Sequence, residues 1–201
     1  MSEPAMRGMT VDDFLHWEDG TDTRYELVGG FAFAMAPPEP SHSRLAGRLG
    51  GAIDAALRSR RACAMHPEAG IARSDQSDSC YTADIAVTCE ALRREDRLIR
   101  NPILIVEVLS PSTAAFDRQT KVADYRQIPS VEEILLIDSE SVFAEMLRRD
   151  GDRWITEIVQ GPAATLSLRS VPLSIAMAEL YEGVPLPEPR SGRGGAVGGA
   201  G

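Results

Sequence analysis

Pro102-Ile103-Leu104-Ile105-Val106-Glu107-Val108-Leu109-Ser110-Pro111-Ser112 decides how this 201-residue chain is read. Its β-branched residues and the prolines near either end predict a buried strand. Glu107 breaks the apolar run, and a carboxylate ionised in a dry strand costs on the order of several kcal/mol unless a cation or a hydrogen-bond network meets it. Upstream, Asp84 interrupts a second run, continued by Ile85-Ala86-Val87, and downstream Lys121 opens a predicted helix. Two strand-borne carboxylates and a lysine are the parts a metal-dependent phosphodiesterase needs. Oxygen ligands suit Mg2+, which keeps several waters. The ion lowers the pKa of a bound water and offsets charge in the transition state, and the lysine orients that water or stabilises the developing charge. Spacing alone leaves a second reading equally open, with Asp84 bonded to a neighbouring backbone amide and Glu107 paired with an internal arginine.

Outward from that strand, the pattern alternates helix and strand. Thr10 with Asp13 forms a capping-box pair that starts a first helix before Phe14 and Trp17. Tyr25-Glu26-Leu27-Val28 and Phe31-Ala32-Phe33-Ala34-Met35, joined by Gly29-Gly30, predict a hairpin. Ser41 is the expected cap of a long helix reaching about Arg60, with Leu45, Leu49, Ile53, Ala56 and Leu57 at helical spacing and His42 in its first turn. Short strands follow at Ala62-Met65 and Ala69-Arg73, and the polar loop containing Ser74, Gln76, Ser77, Asp78 and Ser79 leads to the Asp84 strand. Asp117 is the expected cap of a helix from Arg118 to Gln127, where Lys121 and Tyr125 share a face, so that Tyr125 supports Lys121. Glu132 to Asp138 reads as another buried strand, Val142-Arg148 with Trp154-Val159 as a hairpin about Asp150-Gly151-Asp152, and Ser174 to Tyr181 as a last short helix. This order implies an α/β core with a mixed sheet.

The length and ordinary hydrophobic fraction suit one domain over residues 1–183, and the Pro/Gly-rich residues 184–201 have nothing to bury and are expected to be disordered. The chain has no run of about eighteen apolar residues and no charged-then-apolar opening segment, so a soluble, cytoplasmic protein is expected. Cys63, Cys80 and Cys89 are odd in number and lack a metal-binding pattern, which fits reduced thiols. A net charge of −9 argues against a nucleic-acid enzyme. Its distribution matters more than the sum. Arg44, Arg48, Arg58, Arg60 and Arg61 fall on one predicted helix, and Arg93, Arg94, Arg97 and Arg100 precede the Glu107 strand; each cluster reads either as a phosphate-facing patch or as solvated surface.

Thr82-Ala83-Asp84-Ile85-Ala86-Val87, the Pro102–Ser112 string, then Thr113, Asp117, Lys121 and Tyr125, together with Arg24-Tyr25-Glu26-Leu27-Val28-Gly29-Gly30, Met35, Pro37 and His42, resemble the Uma family of putative restriction endonucleases, within the PD-(D/E)xK nuclease superfamily. The resemblance covers the chain from about Met9 to Tyr181. It implies a restriction-endonuclease-like core, a mixed central β-sheet flanked by helices, with an additional C-terminal β-hairpin. It also implies that Asp84 and Glu107 ligate Mg2+ (or Mn2+), that Glu26 is a further acid reaching the metal or its water, and that Lys121 is the catalytic lysine, moved from the usual place two residues after the acid, here Leu109, to the following helix. Ala83 stands where the family usually has proline. The activity implied is hydrolysis of DNA phosphodiester bonds by a homodimer. Two other readings stay open: a catalytically inactive nuclease-fold binding or assembly module, and a metal-dependent phosphodiesterase acting on RNA or a nucleotide.

Overall fold

The computed structural model describes residues 8–60, 62–74 and 77–187; Arg61, Gln76 and the glycine-rich run beyond residue 187 lie outside them. In chain order the elements are α1 (Val11–His16), β1 (Tyr25–Val28), β2 (Phe31–Ala34), α2 (Pro40–Leu57), β3 (Ala64–Ala72), β4 (Cys80–Thr88), β5 (Pro102–Leu109), α3 (Ala114–Phe116), a π-helical turn (Asp117–Lys121), α4 (Val122–Tyr125), β6 (Glu133–Asp138), β7 (Phe143–Asp150), β8 (Arg153–Gln160), β9 (Thr165–Ser167), β10 (Ser174–Ala176) and α5 (Met177–Leu180). Eight strands form one mixed sheet in the order β2-β1-β4-β5-β6-β7-β8, with β3 also on β4; only the β5–β6 pair is parallel. The architecture is therefore α/β with a central mixed sheet flanked by helices, and β7–β8 is the additional hairpin. Gly151, at φ 59°, lies in its turn.

The strands are apolar on both faces because both are covered. Leu45, Leu49 and Ile53 of α2 pack against Ile85, Val87, Leu104, Val106 and Val108. On the opposite face Val122 and Tyr125 of α4 pack against Tyr81, Ala83, Ile105 and Leu109. Along β4 the odd positions change face between Ala83 and Ile85, so the pleat is interrupted at Asp84. Across the ladder, between the pairs Pro67↔Ile85 and Ala69↔Ala83, Glu68 takes the left-handed φ of 48°. The pair of irregularities turns Asp84 out of the regular alternation.

Several boundaries differ from the sequence-based expectation. Ser41 does not cap α2: Pro40 is already helical and Glu39 occupies the cap, which suits proline's missing N–H. The two strands expected between residues 62 and 73 are one, β3, because Pro67 and Glu68 are accommodated as an irregularity rather than a break. Asp117 does not cap a helix either; the helical path already begins at Ala114 and widens into a π turn at Asp117. Ser174 to Ala176 is strand, paired with β9, so the last helix is shortened to α5. Thr10 and Asp13 do form the reciprocal capping box.

The cysteines also require correction. Cys63 and Cys89 are joined in a disulfide across the ends of β3 and β4, and Cys80 alone is free and buried. Antiparallel pairing brings residues far apart in sequence into reach, and cysteine spacing carries no record of it. Among the described residues no helix is long and apolar enough to cross a membrane.

Candidate active site

The site lies where β1 and β5 share one edge of β4. Since β3 occupies the other edge throughout, β1 meets the shared edge at Cys80 and β5 meets it from Ile85 to Thr88. Between these contacts the backbone ladder is open, and buried N–H groups there need acceptors. Side-chain carboxylates supply them: the Thr82 N–H donates to Glu26 Oε1 at 2.8 Å, and the Val108 N–H donates to Asp84 Oδ2 at 2.7 Å. The gap in the sheet is therefore what holds two acids in place.

Glu107 points from β5 toward α4, where the Tyr125 hydroxyl donates to Oε1 at 2.6 Å. Lys121 Nζ lies 3.0 Å from Glu26 Oε1, 3.4 Å from Glu107 Oε1 and 3.4 Å from Asp117 Oδ1. From α2, His42 Nε2 lies 3.2 Å from Asp84 Oδ2. The structure thus brings Asp84, Glu107, Lys121 and Glu26 into one cluster, and His42 reaches its margin through Asp84. Tyr125 supports Glu107 directly, in place of the expected support of Lys121. Asp117 is the member that the sequence reading missed. Its four-residue spacing from Lys121 was the available signal, obscured by reading Asp117 as a helix cap.

Burial is the dominant influence on Glu107 and pushes its carboxyl up to about 8; Asp84 and Asp117 add to the rise, while Lys121 and Tyr125 oppose it. For Lys121 burial acts downward, yet Glu107, Glu26 and Asp117 together outweigh it and hold the ammonium above its ordinary value. Asp117 is raised by burial against the pull of Lys121. Burial also pushes His42 down, but its bond to Asp84 and the charges of Asp84 and Asp117 leave it raised overall.

Three acids, Glu26, Glu107 and Asp117, surround Lys121, and Asp84 lies beside His42, so acidic side chains outnumber basic ones in the cluster. The hydrogen bonds that Asp84 and Glu107 accept fall on Oδ2 and Oε1, and the second oxygen of each accepts none from the described residues. Hard carboxylate oxygens of this kind fit a divalent cation that retains water. Among the described residues no group of three His, Cys, Asp or Glu is assembled closely enough to hold a metal. Some of the clustered arginines are engaged elsewhere. Arg48 bonds the carbonyls of Glu179 and Leu180, Arg60 that of Ser170, Arg93 pairs with Asp96, and Arg97 bonds the Leu15 carbonyl.

A mixed sheet opened at one strand junction, with carboxylates and a lysine converging on the gap, defines a restriction-endonuclease-like fold. A crystal structure of a putative nuclease belonging to DUF820 from Anabaena variabilis matches with a TM-score of 0.67 at 22% identity, covering 87% of this chain and 98% of the other, and so shares the fold. Residues 11–178 match the model of the Uma2 family, described as putative restriction endonuclease, and the chain belongs to that family. Two uncharacterized proteins of Synechocystis sp. are similar along most of their length: slr1290 is 31% identical, covering 88% of this chain and 93% of its own, and sll1609 is 28% identical, covering 79% and 91%. Membership in this family supports a nuclease.

Proposed function

We propose that the protein is a Mg2+- or Mn2+-dependent nuclease that hydrolyses DNA phosphodiester bonds at the Asp84–Glu107–Lys121 cluster. The observation that carries this reading is the placement of Lys121 Nζ between Glu26, Glu107 and Asp117 while the second oxygen of Asp84 and of Glu107 accepts no hydrogen bond from the described residues. Asp84 and Glu107 would hold the cation, with Glu26 close enough through Lys121 to act as an auxiliary acid. When bound, the cation supplies Lewis-acid charge and a more acidic water. Lys121, held charged by the acids around it, acts as a donor to an anionic oxygen and not as a base. Tyr125 and Asp117 hold Glu107 and Lys121 in place, and His42 orients Asp84 through Nε2. Hydrolysis joins a water oxygen to phosphorus as the bond from phosphorus to the leaving sugar oxygen breaks.

The test is calorimetric titration of Mg2+ and Mn2+ into the wild type and Glu107→Ala, followed by cleavage assays on plasmid and single-stranded DNA in the same buffers. Asp84→Ala and Lys121→Ala are expected to abolish cleavage with circular dichroism unchanged; retained activity in both sinks the assignment. Assays with RNA and nucleotide substrates separate the wider phosphodiesterase reading. The second reading, an inactive nuclease-fold assembly module, is expected to show no specific metal binding in the wild type. A homodimer belongs to the proposal as well. Ile155 and Ile158 are exposed on opposite faces of the edge strand β8, and light scattering reads the subunit number.

A further inference from the structure

β2 is an edge strand, and its two phenylalanines are more than half exposed, Phe31 at 52% and Phe33 at 56%. Residues directly opposite in an antiparallel pair project from the same face. Phe33 pairs with Glu26, and Phe31 with Val28, which packs against the cluster containing Tyr125. Both rings therefore stand on the face of the sheet that carries Glu26 and Lys121, beside the candidate site. Neither makes a ring contact with another aromatic side chain among the described residues. Exposed apolar residues on an edge strand invite aggregation, which makes two rings next to a reaction site costly to keep without use.

Building on the nuclease reading, we infer that Phe31 and Phe33 form a stacking platform for unpaired nucleobases of the strand entering the Glu26–Lys121 site. Two positions apart on a strand, the rings are separated by about 6.6 Å along the chain. That is about twice the ~3.4 Å advance per nucleotide in a duplex strand, so successive rings fit bases drawn apart from one another. Charge points the same way. Net charge is −9, and Arg48, Arg60 and Arg97 serve contacts within the chain, which leaves stacking rather than phosphate neutralisation to carry much of the affinity. Stacking on aromatic faces is sequence-tolerant, because every base has a π face.

The platform is tested by fluorescence anisotropy in chelator, so that nothing is cut, using a labelled mixed-sequence oligodeoxynucleotide, its duplex, RNA of the same sequence and an abasic strand of equal length. The single strand should bind more tightly than the duplex, and Phe31→Ala and Phe33→Ala should each weaken single-strand binding by about tenfold while leaving the abasic strand unaffected. Phe33→Trp should retain binding and Phe33→Leu lose it, since leucine keeps apolar area without a π face. A parallel loss on RNA assigns the platform to bases of either sugar, and a loss confined to DNA restricts it to the deoxy strand. Unchanged binding in the double variant, an equal loss on the abasic strand, or loss of a wild-type dimer with oligonucleotide affinity intact overturns the inference. A wild type that binds single strands through both rings yet cleaves nothing in Mg2+ or Mn2+ refutes hydrolysis and leaves the platform standing. A wild type that cleaves while indifferent to both rings does the reverse.

Discussion

Glu107 concentrates the chemistry of this protein at one carboxyl. Its position in an apolar strand was visible as a charge out of place, and the structure supplies the reason it is tolerated: Tyr125 donates to it, Lys121 stands 3.4 Å away, and burial pushes its carboxyl up to about 8. An acid whose folded-state pKa is raised binds more protons when folded than unfolded between its ordinary value and about 8. Its contribution to stability is therefore full at low pH and falls as pH rises through that window. His42, also raised, adds a slope of the same sign, so the comparison must be made against a variant. In chelator, the unfolding free energy of the wild type from urea titration is expected to fall from pH 5 to pH 8.5 by more than that of Glu107→Gln, the difference amounting to roughly a few kcal/mol. Parallel curves would show that Glu107 is ionised throughout. Asp117 illustrates the limit of residue-scale reading. A helix cap and a buried partner of lysine use the same residue type, and only the preceding turn, helical from Ala114, distinguishes them.

The β1–β2 hairpin positions both Glu26 and the exposed phenylalanines, and its turn depends on glycine. Gly29 and Gly30 have φ of 57° and 84°, and a Cβ on Gly30 would lie 2.7 Å from the Gly8 Cα. Gly30→Ala is expected to destabilise the protein by about 2 kcal/mol or more through left-handed strain and this collision, read as a lower denaturation midpoint; Gly29→Ala, with open space at its Cβ, should cost less. A second anchor was not legible in the sequence. Glu133, only 2% exposed on β6, accepts from the Arg148 guanidinium, from the Arg169 and Ser170 amides and from the Ser170 hydroxyl. Burial pushes its carboxyl up, but the Ser170 and Arg148 hydrogen bonds outweigh that and hold it below the ordinary range. Glu133→Ala takes one partner from Arg148, which keeps Glu157 and the Ser167 carbonyl, and leaves the Arg169 and Ser170 amides without their acceptor, so a loss of about 1–3 kcal/mol is expected. Hydrogen exchange should quicken first in β9 and β10, and uniform exchange across the sheet would contradict this local role.

At the scale of the whole molecule, the disulfide links segments 26 residues apart. Closing a loop of that size stabilises a chain by about 3–4 kcal/mol through the unfolded ensemble. Thiol titration of the oxidised protein in denaturant should find Cys80 alone reactive, and Cys63→Ser with Cys89→Ser should lower the melting temperature; three reactive thiols would refute the bond. Buried strands, the glycine turn, the α/β order and the two carboxylates out of place were set by sequence alone, because each follows from hydrophobic period, backbone permission or the cost of a buried charge. The sequence also carried the family, through the strings around Asp84 and Glu107. Only tertiary structure decided that Asp117 joins Lys121, that Tyr125 serves Glu107, that Cys63 meets Cys89, and that Phe31 and Phe33 face outward beside Glu26. These pairings depend on strand register and on where β1 and β5 diverge along β4, and a periodic pattern that specifies which face a residue takes does not specify which distant residue it meets there.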